Sequence, residues 1–503
     1  MGDAQVIVIG AGIAGLTATA LLAREGIPVT VLEAHHQTGG CAGTFKRGNY
    51  VFDVGATQVA GFERGGSHER IFRHLQIPLP KAELLDPACV IDLADGSKPI
   101  HLWHDPKRWQ VERQNQFPGS ESFWNLCETL HRSNWAFSSR DPVLPPVNLW
   151  DLGQLIKAIR PGTLGSGLFS GLTLADLLRI CRCSNDQRLS RFLDLFIKLY
   201  SQKNADQTAA LYGATVLQMS QAPLGLWHPN GSMQTISNQL VNALTRDGAE
   251  LRLNHRVVHL KTSHSESRWQ VDVKTTNGHK QQFMANDVIC SLPPQCLLSL
   301  IKTSDRLLDR YQTQLRNLPK PSGAIVLYGA INRSALRKNF PCHLLFDTGK
   351  TGSLFITVSR EGDGRAPSGQ ATVVASMFTP TSDWCNLSES AYQQKKQETF
   401  EDLRHHLNLA LRLHPSDWNH QELATPRGFA HWTGRPEGIV GGLGQHPKQF
   451  GPFGLASRTP INGLWLCGDS IYPGEGTAGV TVSALMTCRQ LMRERGLAFQ
   501  LQL

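Results

Sequence analysis

The stretch Gly10-Ala11-Gly12-Ile13-Ala14-Gly15 constrains this chain more than any other. It follows the apolar run Val6-Ile7-Val8-Ile9, which reads as a fully buried strand. It opens a segment with Ile13, Leu16, Leu21 and Leu22 on one helical side, and Pro28-Val29-Thr30-Val31-Leu32 then reads as a second buried strand. Strand, helix and strand in that order make a β-α-β unit, which demands a parallel sheet and a right-handed crossover. In the G-x-G-x-x-G pattern Gly10 permits a tight turn, Gly12 lets backbone approach a pyrophosphate, and Gly15 lets helix pack on strand. Around Ala14 the helix N-terminus offers unpaired N–H groups and the positive end of its dipole to phosphate. Glu33 ends the second strand, 18 residues after Gly15. A carboxylate there accepts hydrogen bonds from both ribose hydroxyls and repels a 2′-phosphate.

Two further segments separate FAD from NAD. Gln37-Thr38-Gly39-Gly40-Cys41-Ala42-Gly43 is a second glycine-rich turn, followed by Phe52-Asp53-Val54-Gly55-Ala56. Placed just past the ribose acid, it extends the contact surface toward a diphosphate and a flavin, an element NAD dehydrogenases usually lack there. At the far end, Leu464 to Cys467 reads as a buried strand closing on Gly468-Asp469, and Pro473 to Gly479 leads into a last helix predicted from Val480 to about Arg493. Asp469 is placed to bond a ribityl hydroxyl or to fix a phosphate-bound water. A helix starting at Gly479-Val480 would aim its N–H groups at the flavin N1/C2 edge, where a positive dipole stabilises the anion formed on hydride uptake.

With these motifs on view, the chain resembles the flavoprotein superfamily with two dinucleotide-binding domains that includes amine oxidases, protoporphyrinogen oxidases and carotenoid desaturases. Phe52–Ala56, Pro229-Asn230-Gly231-Ser232-Met233 and the segment from Gly468 to Ser483 make it most similar to the carotenoid desaturase and isomerase group, with the texture of the C-3′,4′ desaturases of photosynthetic prokaryotes. The resemblance spans nearly the whole chain. It implies an FAD enzyme whose apolar carotenoid substrate gives a hydride to the flavin, with oxygen or a quinone as electron acceptor. It also implies that Val257, expected at the start of a strand after the Asn254-His255-Arg256 turn, lies against the adenine, and that the Trp432–Gly438 loop lies near the flavin ring. Relatives often carry Arg after the Gly-Gly pair; here Cys41 stands there and leaves only a backbone contact. Glu475 stands where an uncharged residue is expected, and is either a proton acceptor near the flavin or a solvated loop carboxylate. A carotenoid cis–trans isomerase on the same fold, an amine oxidase, and a flavin-free carotenoid-binding protein are the alternatives.

The implied fold is α/β: a discontinuous Rossmann-like FAD-binding domain (1–61, 213–295 and 456–503), an inserted α+β substrate domain (296–455), and a mostly helical, aromatic-rich region at 62–212 that is potentially membrane-facing. In that region Leu149, Trp150, Leu152, Leu155, Ile156 and Ile159 share a helical face near Lys157 and Arg160, as in a basic amphipathic segment at a membrane interface. The net charge of +9 suits an anionic surface. No compact Lys/Arg run or RNA-binding motif points to nucleic acid. No apolar run reaches transmembrane length, and Met1 leads straight into the first strand. A peripheral position on the cytoplasmic side of a membrane is the expectation. Eleven scattered cysteines without C-x-x-C suggest reduced thiols, and the histidines show no metal-ligand spacing.

Overall fold

The computed structural model describes residues 5–263, 268–301, 306–349 and 352–501. Its cofactor-side layer is a five-stranded parallel sheet of β1 (Val6–Ile9), β2 (Val29–Leu32), β3 (Glu250–Arg252), β4 (Asp287–Cys290) and β5 (Leu464–Leu466). The spatial order is β3-β2-β1-β4-β5. Every residue of β1, β2, β4 and β5 is buried, which is why these strands read as continuous apolar runs and not as alternating ones. Helices α1 (Ile13–Arg24), α2 (Gln234–Arg246) and α3 (Gly476–Glu494) share one hydrophobic core with this sheet. The cofactor-side layer is thus assembled from both chain ends and a middle piece.

Between β3 and β4 the chain makes an antiparallel three-stranded sheet of His255–Ser263, Arg268–Thr275 and Lys280–Ala285. Asn277-Gly278 turns the second of its hairpins, with Gly278 at φ +83°. A seven-stranded sheet forms the second layer, ordered Trp418–Ala424, Gly323–Asn332, Gln370–Thr379, Ser353–Val358, His343–Asp347, Val90–Asp92 and Ile100–His101. Its last two strands come from the 62–212 region, so the segments assigned above to separate units share a sheet. The rest of that region is mostly helical and buries Trp109, Phe117, Phe123, Trp124, Phe192 and Phe196 in its own core.

Boundaries shift at two places that matter. The strand holding Val257 begins at His255, so Val257 is its third residue, because Asn254 alone takes the turn at φ +60°. The last helix begins at Gly476, four residues before the expected Val480. The Gly-Thr-Ala-Gly run reads as loop by composition, yet it forms the first turn of a helix that packs as a whole against α1 and β5.

Candidate cofactor and active site

A single cavity of about 1270 Å³ runs along the C-terminal edge of the parallel sheet and under the seven-stranded one. Of the residues singled out in the sequence, Gly10, Gly12, Ala14, Glu33, Gly39, Gly40, Cys41, Val257, Gly468, Asp469, Glu475, Gly479 and Val480 all line it. Gly15 does not. A Cβ there would stand 2.0 Å from the Gly10 carbonyl oxygen, so its role is the close helix–strand packing foreseen for it. A Cβ on Gly12 would meet nothing within 4 Å, so the backbone at this point faces open space, as a diphosphate cradle needs. The two glycine turns are joined: Gly39 N donates to Ala11 O at 2.8 Å. The Glu33 carboxylate accepts from Ala11 N at 2.7 Å and His35 N at 2.9 Å, which fixes it at the cavity wall.

The first turn of α3 also faces the cavity, and its N–H groups have no acceptor four residues back. Because the helix starts at Gly476, these donors belong to Gly476, Thr477 and Ala478, while Gly479 and Val480 already lie inside the helix. Gly468 N donates to Ser483 Oγ at 2.8 Å, tying the end of β5 to α3.

Glu475 is not a solvated loop carboxylate. It lines the cavity and accepts from Gly442 N at 3.1 Å and from the Gln202 amide. Gln202 is itself fixed by donation to Val440 O and Gly442 O, both at 3.1 Å, and by accepting from Ser322 N at 2.8 Å. Burial, reinforced by the negative Asp469, raises the Glu475 carboxyl well above its ordinary 4.5.

The Trp432–Gly438 segment also reaches the cavity. Helix Pro426–Thr433 ends at Gly434, with φ +68°, and the turn presents Arg435 to the lining. The Arg435 guanidinium pairs with Asp469 and lies 3.5 Å from Cys41 Sγ. A guanidinium from a distant loop thus stands beside the residue that follows the Gly-Gly pair. Sequence order hides this, because Cys41 and Arg435 are 394 positions apart.

A second group missed in the sequence is Arg365. It is buried, donating from Nε to Asp53 Oδ2 at 3.0 Å and from one terminal nitrogen to Asp363 Oδ2 at 3.1 Å and Pro229 O at 2.9 Å. Asp53 also accepts from Met233 N at 2.9 Å, just before α2. This one guanidinium locks together the Phe52–Ala56 and Pro229–Met233 motifs behind the cavity. The signal was present only as two unexplained motifs; their cationic partner has no local pattern.

The profile of the flavin-containing amine oxidoreductases matches residues 13–492. The chain belongs to this family. It is a flavin-dependent oxidoreductase with FAD as its cofactor. Among relatives it is 26% identical to prolycopene isomerase, chloroplastic, of Arabidopsis thaliana, over 98% of this chain and 83% of that one. It is 22% identical to 4,4′-diapolycopene oxygenase of a Methylomonas species, over 98% and 97%. Among solved structures, putrescine oxidase bound to putrescine superposes with a TM-score of 0.64 over 98% of this chain and 99% of that one, at 16% identity, a likeness of fold alone.

The helices Leu149–Ala158 and Pro161–Gly167 divide their apolar residues between two sides. Trp150, Leu155 and Ile159 pack inward, in the same cluster as Tyr212, Phe450 and Tyr472 of the cavity lining. Leu149, Leu152, Ile156, Leu164 and Leu168 point outward and are 41–87% exposed, beside exposed Lys157 and Arg160. Among the described residues no helix is long and apolar enough to cross a membrane.

Proposed function

We propose that this oxidoreductase is a carotenoid desaturase of the C-3′,4′ type that takes its substrate from a membrane surface. The observation that carries the reading is one cavity holding both the dinucleotide-binding turns and a long, largely apolar continuation lined by residues such as Leu199, Val216, Met219 and Phe355. A pocket of that character suits an extended hydrocarbon. Full-length similarity to proteins named for prolycopene and diapolycopene supports the substrate class.

In this reading Glu33 holds the adenosine ribose, with Val257 against the adenine. The turns at Gly10–Ala14 and Gly39–Cys41 hold the diphosphate, with Arg435 as its cation and Asp469 on the ribityl side. The first turn of α3 stabilises negative charge at the N1/C2 edge. Bound FAD would supply the acceptor for a hydride leaving an allylic carbon, with oxygen or a quinone taking the electrons onward. Glu475, once ionised, accepts the proton lost from the neighbouring carbon, and its raised affinity for protons makes it a stronger base. The apolar walls exclude water and hold the polyene flat. The outward leucines and isoleucine of Leu149–Gly167 enter the headgroup region with Lys157 and Arg160 on its anionic surface, and their inward neighbours adjoin the cavity.

Expression in hosts that accumulate different carotenoids, followed by pigment mass analysis, tests this. A product lighter by two hydrogens per new double bond is expected. A changed isomer profile at constant mass would instead support cis–trans isomerisation, the second reading, which the similarity to prolycopene isomerase favours. No change across several hosts would defeat both.

A further inference from the structure

Behind the cavity wall, the strand Leu226–Pro229 meets the seven-stranded sheet at the start of its inner strand His343–Asp347. There His228, Cys342 and His343 come together, each offering one ligand atom, all within 4.8 Å of one another. We propose that these three side chains form a structural site for a divalent transition-metal ion, zinc by their chemistry, which staples the strand Leu226–Pro229 to the seven-stranded sheet.

Three independent features support the site. The first is distance. A tetrahedral zinc with bonds of about 2.3 Å to sulfur and about 2.0 Å to nitrogen sets those two atoms roughly 3.5 Å apart. Cys342 Sγ and His228 Nδ1 are 3.6 Å apart. The ligand atom of His343 lies within 4.8 Å of both.

The second is orientation. His228 Nε2 is hydrogen-bonded to Asp363 Oδ2 at 2.8 Å, which turns Nδ1 toward Cys342. A carboxylate holding the far nitrogen of a ligating imidazole is the usual outer support of a zinc site. His343 is 1% exposed, so its ring nitrogens are shut off from water beside the Cys342 sulfur.

The third is ligand chemistry. Histidine nitrogen with cysteine sulfur suits zinc over calcium or magnesium. His343 stacks on Phe355, with ring centroids 5.6 Å apart, and Phe355 lines the cavity. The ion would therefore brace the cavity wall without touching the reacting atoms. The 114 positions between His228 and Cys342 explain why ligand spacing gave no hint of it.

The test is metal analysis of the intact flavoprotein purified without chelator, then chelator dialysis and titration with Zn²⁺ or Co²⁺. Expected are one zinc per chain, a fall in melting temperature on chelation, and Co²⁺ d–d bands to the red of the flavin absorption. Cys342→Ser and His343→Gln should lose the bands while keeping flavin content and circular dichroism. His343→Cys, which restores a third ligand, should regain them. If wild-type protein takes up no Co²⁺ in tetrahedral form, the proposal falls, whether or not the variants fold. It falls equally if Cys342→Ser binds the metal as wild type does.

Discussion

At the scale of single residues, two carboxylates of the cavity lining make opposite demands. Glu33 is held by two backbone N–H groups and stays available to a ribose. Glu33→Ala removes hydrogen bonding to a charged acceptor, worth about 1.5–3 kcal/mol for a single bond, so FAD should dissociate at least roughly 10- to 100-fold more readily in a flavin-release titration. Unchanged flavin content would mean that the ribose sits elsewhere. Glu475 is defined by its raised proton affinity. If it is the base, the desaturation rate should rise with pH through its titration, and Glu475→Gln should abolish that limb. Stability follows the same group. The folded carboxyl binds its proton more tightly than the unfolded one, whose ordinary value is 4.5. The wild type should therefore lose stability relative to Glu475→Gln as pH rises above about 4.5, up to the folded-state value, and the two should run parallel below it. Urea melts across pH decide this. The glycines and Glu33 could be read from the chain because each is bound to a local pattern. Gln202 and Arg435 could not, because Gln202 meets Glu475 across 273 positions and Arg435 meets Cys41 across 394, with no local pattern to mark either.

At the scale of elements, the parallel strands were visible as short apolar runs, since burial on both faces leaves no alternation to blur. The start of α3 was not, because a glycine-rich first turn looks like a loop when read by composition. The sharing of one sheet by Val90–Asp92 and His343–Asp347 was equally invisible, as pairing between distant strands leaves no periodic mark. Arg365 joins such distant elements. Arg365→Leu would leave Asp53 and Asp363 buried without their cation, and breaking a buried pair of this kind costs roughly 3–5 kcal/mol. A markedly lower denaturation midpoint, accompanied by weaker flavin retention, is expected. A midpoint within error of wild type would show that the two carboxylates are not held by Arg365.

At the scale of the molecule, the apolar surface at Leu149, Leu152, Ile156, Leu164 and Leu168 and the cavity lie on the two sides of the same helices. Replacing Leu149, Ile156 and Leu168 with serine together should weaken flotation with anionic liposomes at least tenfold, taking roughly 1.5–3 kcal/mol for each fully buried side chain. Flavin content should be untouched. Equal flotation would place the lipid contact elsewhere.

The composite cofactor layer also has a consequence for the order of synthesis. β1, α1 and β2 leave the ribosome long before β5 and α3, which complete the cavity lining. The nascent chain carries an open crevice until β5 and α3 have been made. Flavin retention thereby reports on that step: a chain cut short before Leu464 should be colourless however well its first strands have folded, and a yellow one has been made through α3.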